Sequence, residues 1–396
     1  MKVMKKLQAK DLRRQFDDLG PQSFYGHFME AIDSGTIGME NYSIRELAEA
    51  FLGDSWNKSF RAIADGHALM EAGTPVNSTA FKNITGQLLF STVRRWFMNE
   101  AFVFSAMVPT IQSRIEGTEK VPSIARMGDV AEIVLEGAEY PTVGFGEEFF
   151  TWAAKDKRGL IVDVTEEAIF YDLTNLVLEA AREVGLWLGT KKEKLIIDCL
   201  IGQTNNYSRN GTATNTYLTT GAYDNDETGV ALNDWTSIDA AEQRFVDVLD
   251  PNTSEPIELL DSEVVIVTTP FKKHTARRIV SATEVRERSE TSAGVRENEM
   301  VSSNPIANYK VVTSKLLYRR ILAGPETVAA NAKEWWFLGS IARAFAWLEN
   351  FPLRVFQQSG DSDAAFERDV TARFKASMKG VAQSVEPRYM QRRRNA

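Results

Sequence analysis

Thirty residues, "YDLTNLVLEAAREVGLWLGTKKEKLIIDCL" (Tyr171–Leu200), restrict this chain more than any other stretch. Leu173, Leu176, Val177, Ala180, Val184, Leu188, Leu195 and Cys199 recur at helical spacing, so one apolar stripe faces a core. At 1.5 Å per residue this predicts a rod of roughly 45 Å, with Gly185 and Gly189 as the points of expected interruption. Glu166 and Glu167 supply an acidic first turn that suits the helix dipole. A rod this long serves as a backbone on which other elements are hung.

Ahead of the rod stands "EYPTVGFGEEFFTWAAKDKRGLIVDV" (Glu139–Val164). Leu160, Val162 and Val164 alternate as one face of an extended strand, and "AEIVLEG" reads as a short strand entering the stretch. The reading is a two-legged hairpin over residues 134–164 with its turn near Gly146–Thr151. Its apolar residues Phe149, Phe150 and Trp152 have no local partner in the sequence, which predicts burial against another part of the chain or another copy of it.

The remaining segments follow from their periodicity and breakers. Residues 1–107 carry broken helical patterns such as "SIRELAEAFLGDSW", where Ser43 and Glu46 have the spacing of a capping box, and "FSTVRRWFMNEAFVFSAM". Pro109 and Pro122 break residues 108–133, a connection into the core. Residues 202–235, rich in Asn, Thr and Gly, read as a polar surface insertion or hairpin. From 236 to 339, helical "SIDAAEQRFVDVLD" and "FKKHTARRIVSA" alternate with strands "EVVIVTTP" and "NYKVVTS", a mixed α/β domain. Residues 340–396 return to strands, "PLRVFQQ" pairing with "ERDVTARFKASM", and end in a basic tail.

Composition decides which functions to exclude. A net charge of −8 argues against a dedicated nucleic-acid binder, although the ends "MKVMKKLQAKDLRR" and "QRRRNA" are basic. Such ends read first as solvated termini and second as weak contacts to a polyanion. The single cysteine, Cys199, excludes an intramolecular disulfide and a thiolate metal cage, and its place on the apolar stripe makes it a small hydrophobe. No apolar run is long enough to span a bilayer, and no signal peptide opens the sequence.

Site chemistry is equally sparse. His27, His67 and His274 lie far apart without metal-ligand spacing. "GFGEEF" (Gly144–Phe149) fails as a dinucleotide loop because no helix opens there. "GTKKE" (Gly189–Glu193) lacks the spacing of a phosphate loop. "DNDETG" (Asp224–Gly229) resembles the start of a calcium loop, but Trp235 stands where the bidentate glutamate belongs, so a polar turn is the simpler reading. The chain is expected not to be an enzyme and to need no cofactor or metal.

In "VAEIVLEGAEYPTVGFGEEFFTWAAKDKRGLIVDVTEEAI" and the helix after it, the sequence resembles the major capsid proteins of tailed bacteriophages. The elements are Ala131–Gly137, Pro141, the loop around Gly146, the return strand Lys157–Val164, and Thr165 with Glu167 opening the helix. The resemblance continues through "VVIVTTP" and "FERDVTARFKASMKGVA", covering about residues 127–387.

It implies an α+β fold: an N-terminal arm (1–107), an extended loop built as a long β-hairpin (134–164), a peripheral domain with the spine helix (165–201) and closing strands (340–396), and an axial domain (236–339). "VRERSETSAGVRENEM" would be one of the axial loops. The implied function is a structural subunit of an icosahedral virion capsid, self-assembling as hexamers and pentamers around packaged double-stranded DNA. Scaffolding protein and portal would be partners, no membrane is involved, and assembly takes place in host cytoplasm. An encapsulin-type nanocompartment shell is the alternative, and an intracellular α/β enzyme a more distant one. Expected contacts between subunits are Phe149, Phe150, Trp152, Lys155, Asp156, Lys157 and Arg158. Interior DNA-facing residues would be Lys2, Lys5, Lys6, Arg13, Arg14, Arg392, Arg393 and Arg394. The resemblance also brings covalent Lys–Asn links and loss of an N-terminal segment into view; neither is expected here.

Overall fold

A computed structural model describes residues 9–33, 50–51, 88–124, 134, 147–165, 176–221, 223–249, 259, 261–290, 296–358 and 370–395. The expected capping box at Ser43 and Glu46 lies outside them, as do Lys2, Lys5, Lys6 and His67. The helices are α1 (Ala9–Leu19), α2 (Pro21–Asp33), α3 (88–97), α4 (Val103–Met107), α5 (Leu176–Leu200), α6 (Trp235–Asp247), α7 (Lys273–Ser281), α8 (Lys315–Ala323), α9 (Ala329–Lys333) and α10 (Ile341–Ala344). The strands are β1 (Thr110–Gln112), β2 (Glu119–Ile124), β3 (Glu147–Trp152), β4 (Asp156–Thr165), β5 (Tyr207–Arg209), β6 (Thr212–Thr214), β7 (Asp226–Thr228), β8 (Val265–Thr268), β9 (Glu284–Glu290), β10 (Arg296–Ser303), β11 (Lys310–Thr313), β12 (Trp336–Gly339), β13 (Phe345–Gln358), β14 (Val370–Ser384) and β15 (Met390–Arg394). They pair in four sheets, ordered β1-β13-β14-β4, β10-β9, β11-β8-β12-β15-β7 and β2-β3-β5-β6. The mixed α+β class expected from the sequence is the class observed.

The chain forms two compact units, each gathered from three segments. The first holds Met1–Glu100, Lys157–Lys191 and Phe351–Lys379. In it Leu89 and Val93 of α3 and Ala181, Val184 and Leu188 of α5 pack with Ala376 and Met378 of β14. The α5 stripe is therefore at work as its spacing predicts. Gly185 does not interrupt the helix: a Cβ there would stand 2.5 Å from the Val93 carbonyl oxygen, so the glycine lets α3 approach the helix backbone. A cavity of about 20 Å³ remains among Leu89, Val93, Val162, Ala181 and Val184, all apolar and with room for no more than roughly one water. Separately, Phe16 of α1 meets Phe24 of α2 edge-on at 5.4 Å between ring centroids, and Phe24 stacks on Phe28.

The second unit holds Ala101–Asp156, Lys192–Asn350 and Gly380–Ala396. Its five-stranded sheet is buried on both faces, and β8 and β12 accordingly read as unbroken apolar runs. Alternation divides their side chains. Ile266, Trp336 and Leu338 face Ile238 and Ala241 of α6 and Ala276 and Ile279 of α7. Val265, Val267 and Phe337 face Leu317 and Ile321 of α8 and Ile197, Cys199 and Leu200 of α5. Strands β8 and β11 are parallel and β12 runs against β8, so the alternating helices and strands expected for residues 236–339 are present.

Four expectations need correction. First, the turn of the expected hairpin is misplaced, and its first leg, residues 135–146, lies outside the described residues. Residues 147–151, placed at its turn, are strand β3, which pairs with β2 and β5, while β4 belongs to the sheet containing β14. The chain changes sheets at Ala153–Lys155, where the Ala153 amide donates to Gln383 Oε1 at 3.0 Å. Second, residues 202–235 are only partly a surface hairpin. Asn210 and Gly211 take positive φ (49° and 80°) in the β5–β6 turn, the pattern of a two-residue loop. Beyond it, however, Thr216, Tyr217, Tyr223, Asn225 and Asp226 are buried and β7 joins the main sheet. Third, "VRERSETSAGVRENEM" contains the antiparallel pair β9–β10, with Arg296 opposite Glu290 and Val301 opposite Arg286. Fourth, the basic end is no solvated tail, because Met390–Arg394 are a strand between β12 and β7.

Candidate functional site

Of the residues singled out by sequence, Arg13, Arg14, Lys157 and Arg158 belong to the first unit, while Phe149, Phe150, Trp152, Lys155 and Arg392–Arg394 gather in two places within the second. One is the sheet carrying Phe149, Phe150 and Trp152. Its register sets Phe150 opposite Val121, Phe149 opposite Pro122 and Trp152 opposite Glu119. All three aromatics are half-buried, so part of each is covered by the chain itself. The Phe150 ring lies 6.2 Å from Tyr207, and the Lys120 ammonium sits 4.8 Å from the Phe149 ring centroid. Asn210 holds the strand by accepting from the Phe149 amide at 3.1 Å and donating its own amide to the Phe149 carbonyl at 2.8 Å. Arg209 pairs with Glu148 at 2.5 Å on the same sheet.

Lys155 closes this sheet from below. Its side chain is fully buried, and Nζ donates to Glu119 Oε2 at 2.8 Å while Ser113 Oγ donates to the same oxygen. Burial pushes the Glu119 carboxyl up, but the hydrogen bonds from Lys155 and Ser113 outweigh it and hold the group below its ordinary value. Lys155 is thus engaged within its own chain. Asp156 and Lys157 are exposed and Arg158 is half-buried.

The second place is β15. Arg392 forks onto Asp226 with Nε–Oδ1 at 2.8 Å and Nη2–Oδ2 at 2.7 Å, and Arg394 Nη2 reaches the same Oδ2 at 2.9 Å. The Arg392 guanidinium also lies 4.5 Å from the Tyr217 ring and donates to the Ile201 carbonyl. Arg393, only 1% exposed, pairs with Glu227, which is shared with Arg244 at 3.1 Å. Burial pushes the Asp226 carboxyl up, and the two arginines more than reverse this, leaving it below its ordinary value. Asn225 completes the clasp by donating to the carbonyls of Thr216, Pro387 and Met390 and accepting from the Leu218 amide.

None of this reads as a catalytic centre. Asp226 is consumed by Arg392 and Arg394 and Glu227 by Arg393 and Arg244, and the calcium-loop resemblance at Asp224–Gly229 runs into strand β7. Among the described residues no group of His, Cys, Asp and Glu is placed to hold a metal ion. His27 lies near Glu30 on the surface of α2, and His274 is exposed on α7. Burial, aided by the Asp198 charge, pushes the Cys199 thiol up to about 12, the state of a packing residue. Among the described residues no helix is long and apolar enough to cross a membrane.

Of the basic residues set at the ends, Arg14 is exposed, while Arg13 is half-buried and donates to the Ala50 carbonyl at 2.8 Å. Sequence reasoning missed Asp226, Asn225 and Glu227. The usable signal was complementarity between the acidic "DNDE" and the closing "RRR".

A family profile described as phage capsid protein matches residues 150–392. No curated protein matches the chain. Among solved structures, the capsid of the cyanophage P-SCSP1u is similar at 12% identity, with 74% of this chain and 88% of that one covered and a TM-score of 0.48. The capsid of a native GTA particle is similar at 13% identity, 76% and 91% coverage and a TM-score of 0.45. The mature capsid of bacteriophage PhiM1 gives 9%, 74% and 86%, and 0.44.

Proposed function

The chain belongs to the phage capsid protein family, a structural and non-enzymatic one, and on that premise we propose that it is the repeating subunit of an icosahedral shell enclosing double-stranded DNA. Its place in a virion capsid follows from the family. Hexameric and pentameric capsomers, a scaffolding protein, a portal and assembly in host cytoplasm are the finer parts of the reading. The observation that carries it is the span of the profile match, residues 150–392, which takes in α5, four strands of the five-stranded sheet and the first three residues of the fifth, β15.

In this reading residues 1–107 are an arm, 134–164 an extended loop, 165–201 with part of 340–396 the peripheral domain, and 236–339 the axial domain, whose sheet also takes in β15. The remaining exposed area of Phe149, Phe150 and Trp152, with Asp156, Lys157 and Arg158, meets a neighbouring copy. Each large apolar side chain fully covered there would contribute roughly 1.5 to 3 kcal/mol, and less in proportion to what the chain already covers. Weak contact with DNA falls to Lys2, Lys5, Lys6 and Arg14, because Arg392 and Arg393 are occupied by Asp226 and Glu227.

Expression of the full chain, alone and with a scaffolding protein, tests the reading. Large closed shells in sedimentation and electron microscopy are expected. A stable monomer under every assembly condition would overturn it.

A further inference from the structure

The solvent face of α7 is made of cations. Ala276 and Ile279 bury the other side of this helix against Ile266 and Leu338, so the outward residues are fixed by helical spacing. His274, Arg277 and Arg278 are exposed and share that face, and Lys273 is half-buried beside them. Among the described residues no carboxylate pairs with any of the four, in a chain whose net charge is −8.

A second observation explains why these cations point outward. Arginines in a last helical turn ordinarily serve the carbonyls left open there. Here the buried Asn304 does so, its Nδ2 donating to the carbonyls of Ile279 (2.8 Å), Val280 (3.2 Å) and Ala282 (2.9 Å). Arg277 and Arg278 are left to the solvent side. Protein interfaces are built round an apolar centre, yet the exposed residues of α7 are His274, Arg277, Arg278 and Ser281. A polyphosphate needs only charge and guanidinium forks.

We infer that this face of α7 is a binding surface for the phosphate backbone of double-stranded DNA. The inference rests on the reading of the chain as a shell around DNA and adds to the contact at the N-terminal basic residues a second one, at a place in the fold outside both basic ends.

The test titrates the full-length chain with a labelled mixed-sequence duplex from about 50 to 200 mM salt, and sediments each variant for shell formation. In R277Q/R278Q the slope of log affinity against log salt should fall by about 2 and low-salt affinity by at least about tenfold. R277K/R278K should keep both. R94Q/R95Q, which removes an exposed arginine pair from α3, should leave both unchanged. Unaltered binding by R277Q/R278Q would overturn the inference. Equal losses in R94Q/R95Q would overturn it by reducing the effect to net charge. Loss of self-assembly in R277Q/R278Q with DNA affinity intact would overturn it by giving the face to a second copy. Failure of the unmodified chain to form shells would overturn the shell reading instead, and the DNA titration reports separately from it.

Discussion

Asp226 shows how much one carboxylate can organise. It is 2% exposed at its side chain, yet it serves two arginines of a strand more than 160 residues further on. Removing one partner from such a buried group leaves the other charge uncompensated, typically at about 3 to 5 kcal/mol. Asp226→Asn should therefore lower the unfolding free energy of the second unit, read from urea titration, by about that much, whereas Asp17→Asn, at an exposed pair, should cost less than about 1 kcal/mol. The pH dependence has a definite sign. Asp226 and Glu119 are both held below their ordinary values, so their stabilisation is fully present above the unfolded carboxylate range, about 3.9 to 4.3. It is lost as pH falls through the lower folded values. Thermal melts from pH 7 down to pH 3 should stay level to about pH 4.5 and then drop, and Asp226→Asn should flatten the drop. These residues were not legible in sequence, because an isolated acidic run reads the same whether water or an arginine fork surrounds it.

At the scale of elements, sequence periodicity carried most of what it could carry. The spacing of Val184, Leu188 and Cys199 located α5, and the runs at Val265–Thr268 and Lys310–Thr313 located β8 and β11. What it could not supply was partners. Alternation at Leu160, Val162 and Val164 identifies a strand but not the strand beside it, so residues 147–151 read as a turn when they are β3, paired with β2 and β5. Gly185 was misread for a related reason: low helix propensity looks like a break until the neighbouring backbone is visible. Gly185→Ala should push α3 away from α5, since the new Cβ would meet the Val93 carbonyl and also lie 3.1 Å from Trp96 Cβ. Overpacking of this kind costs about 1 to 3 kcal/mol despite alanine's better propensity. Calorimetry on the full chain should show the first unit destabilised; an unchanged or raised melting temperature would contradict the packing account.

For the whole molecule, the question is what separates folding from assembly. Lys157 is exposed at the start of the first unit's second segment, and among the described residues no group pairs with its charge. Lys157→Glu should leave the melting curve of the unassembled chain within about 0.5 kcal/mol of the original. Like charge set against an acidic neighbour should nevertheless lower shell yield in sedimentation, and unchanged yield would remove this residue from the contact. The same separation bears on the order of events at the ribosome. An inner place in the five-stranded sheet is filled by β15, flanked by β12 and by β7. Domains fold as synthesis proceeds from the N-terminus, but here a nascent chain that has reached Glu386 still carries an open slot between two finished strands. The sheet is completed by residues about fifty positions beyond β12, so a chain cut short before Met390 leaves that slot open.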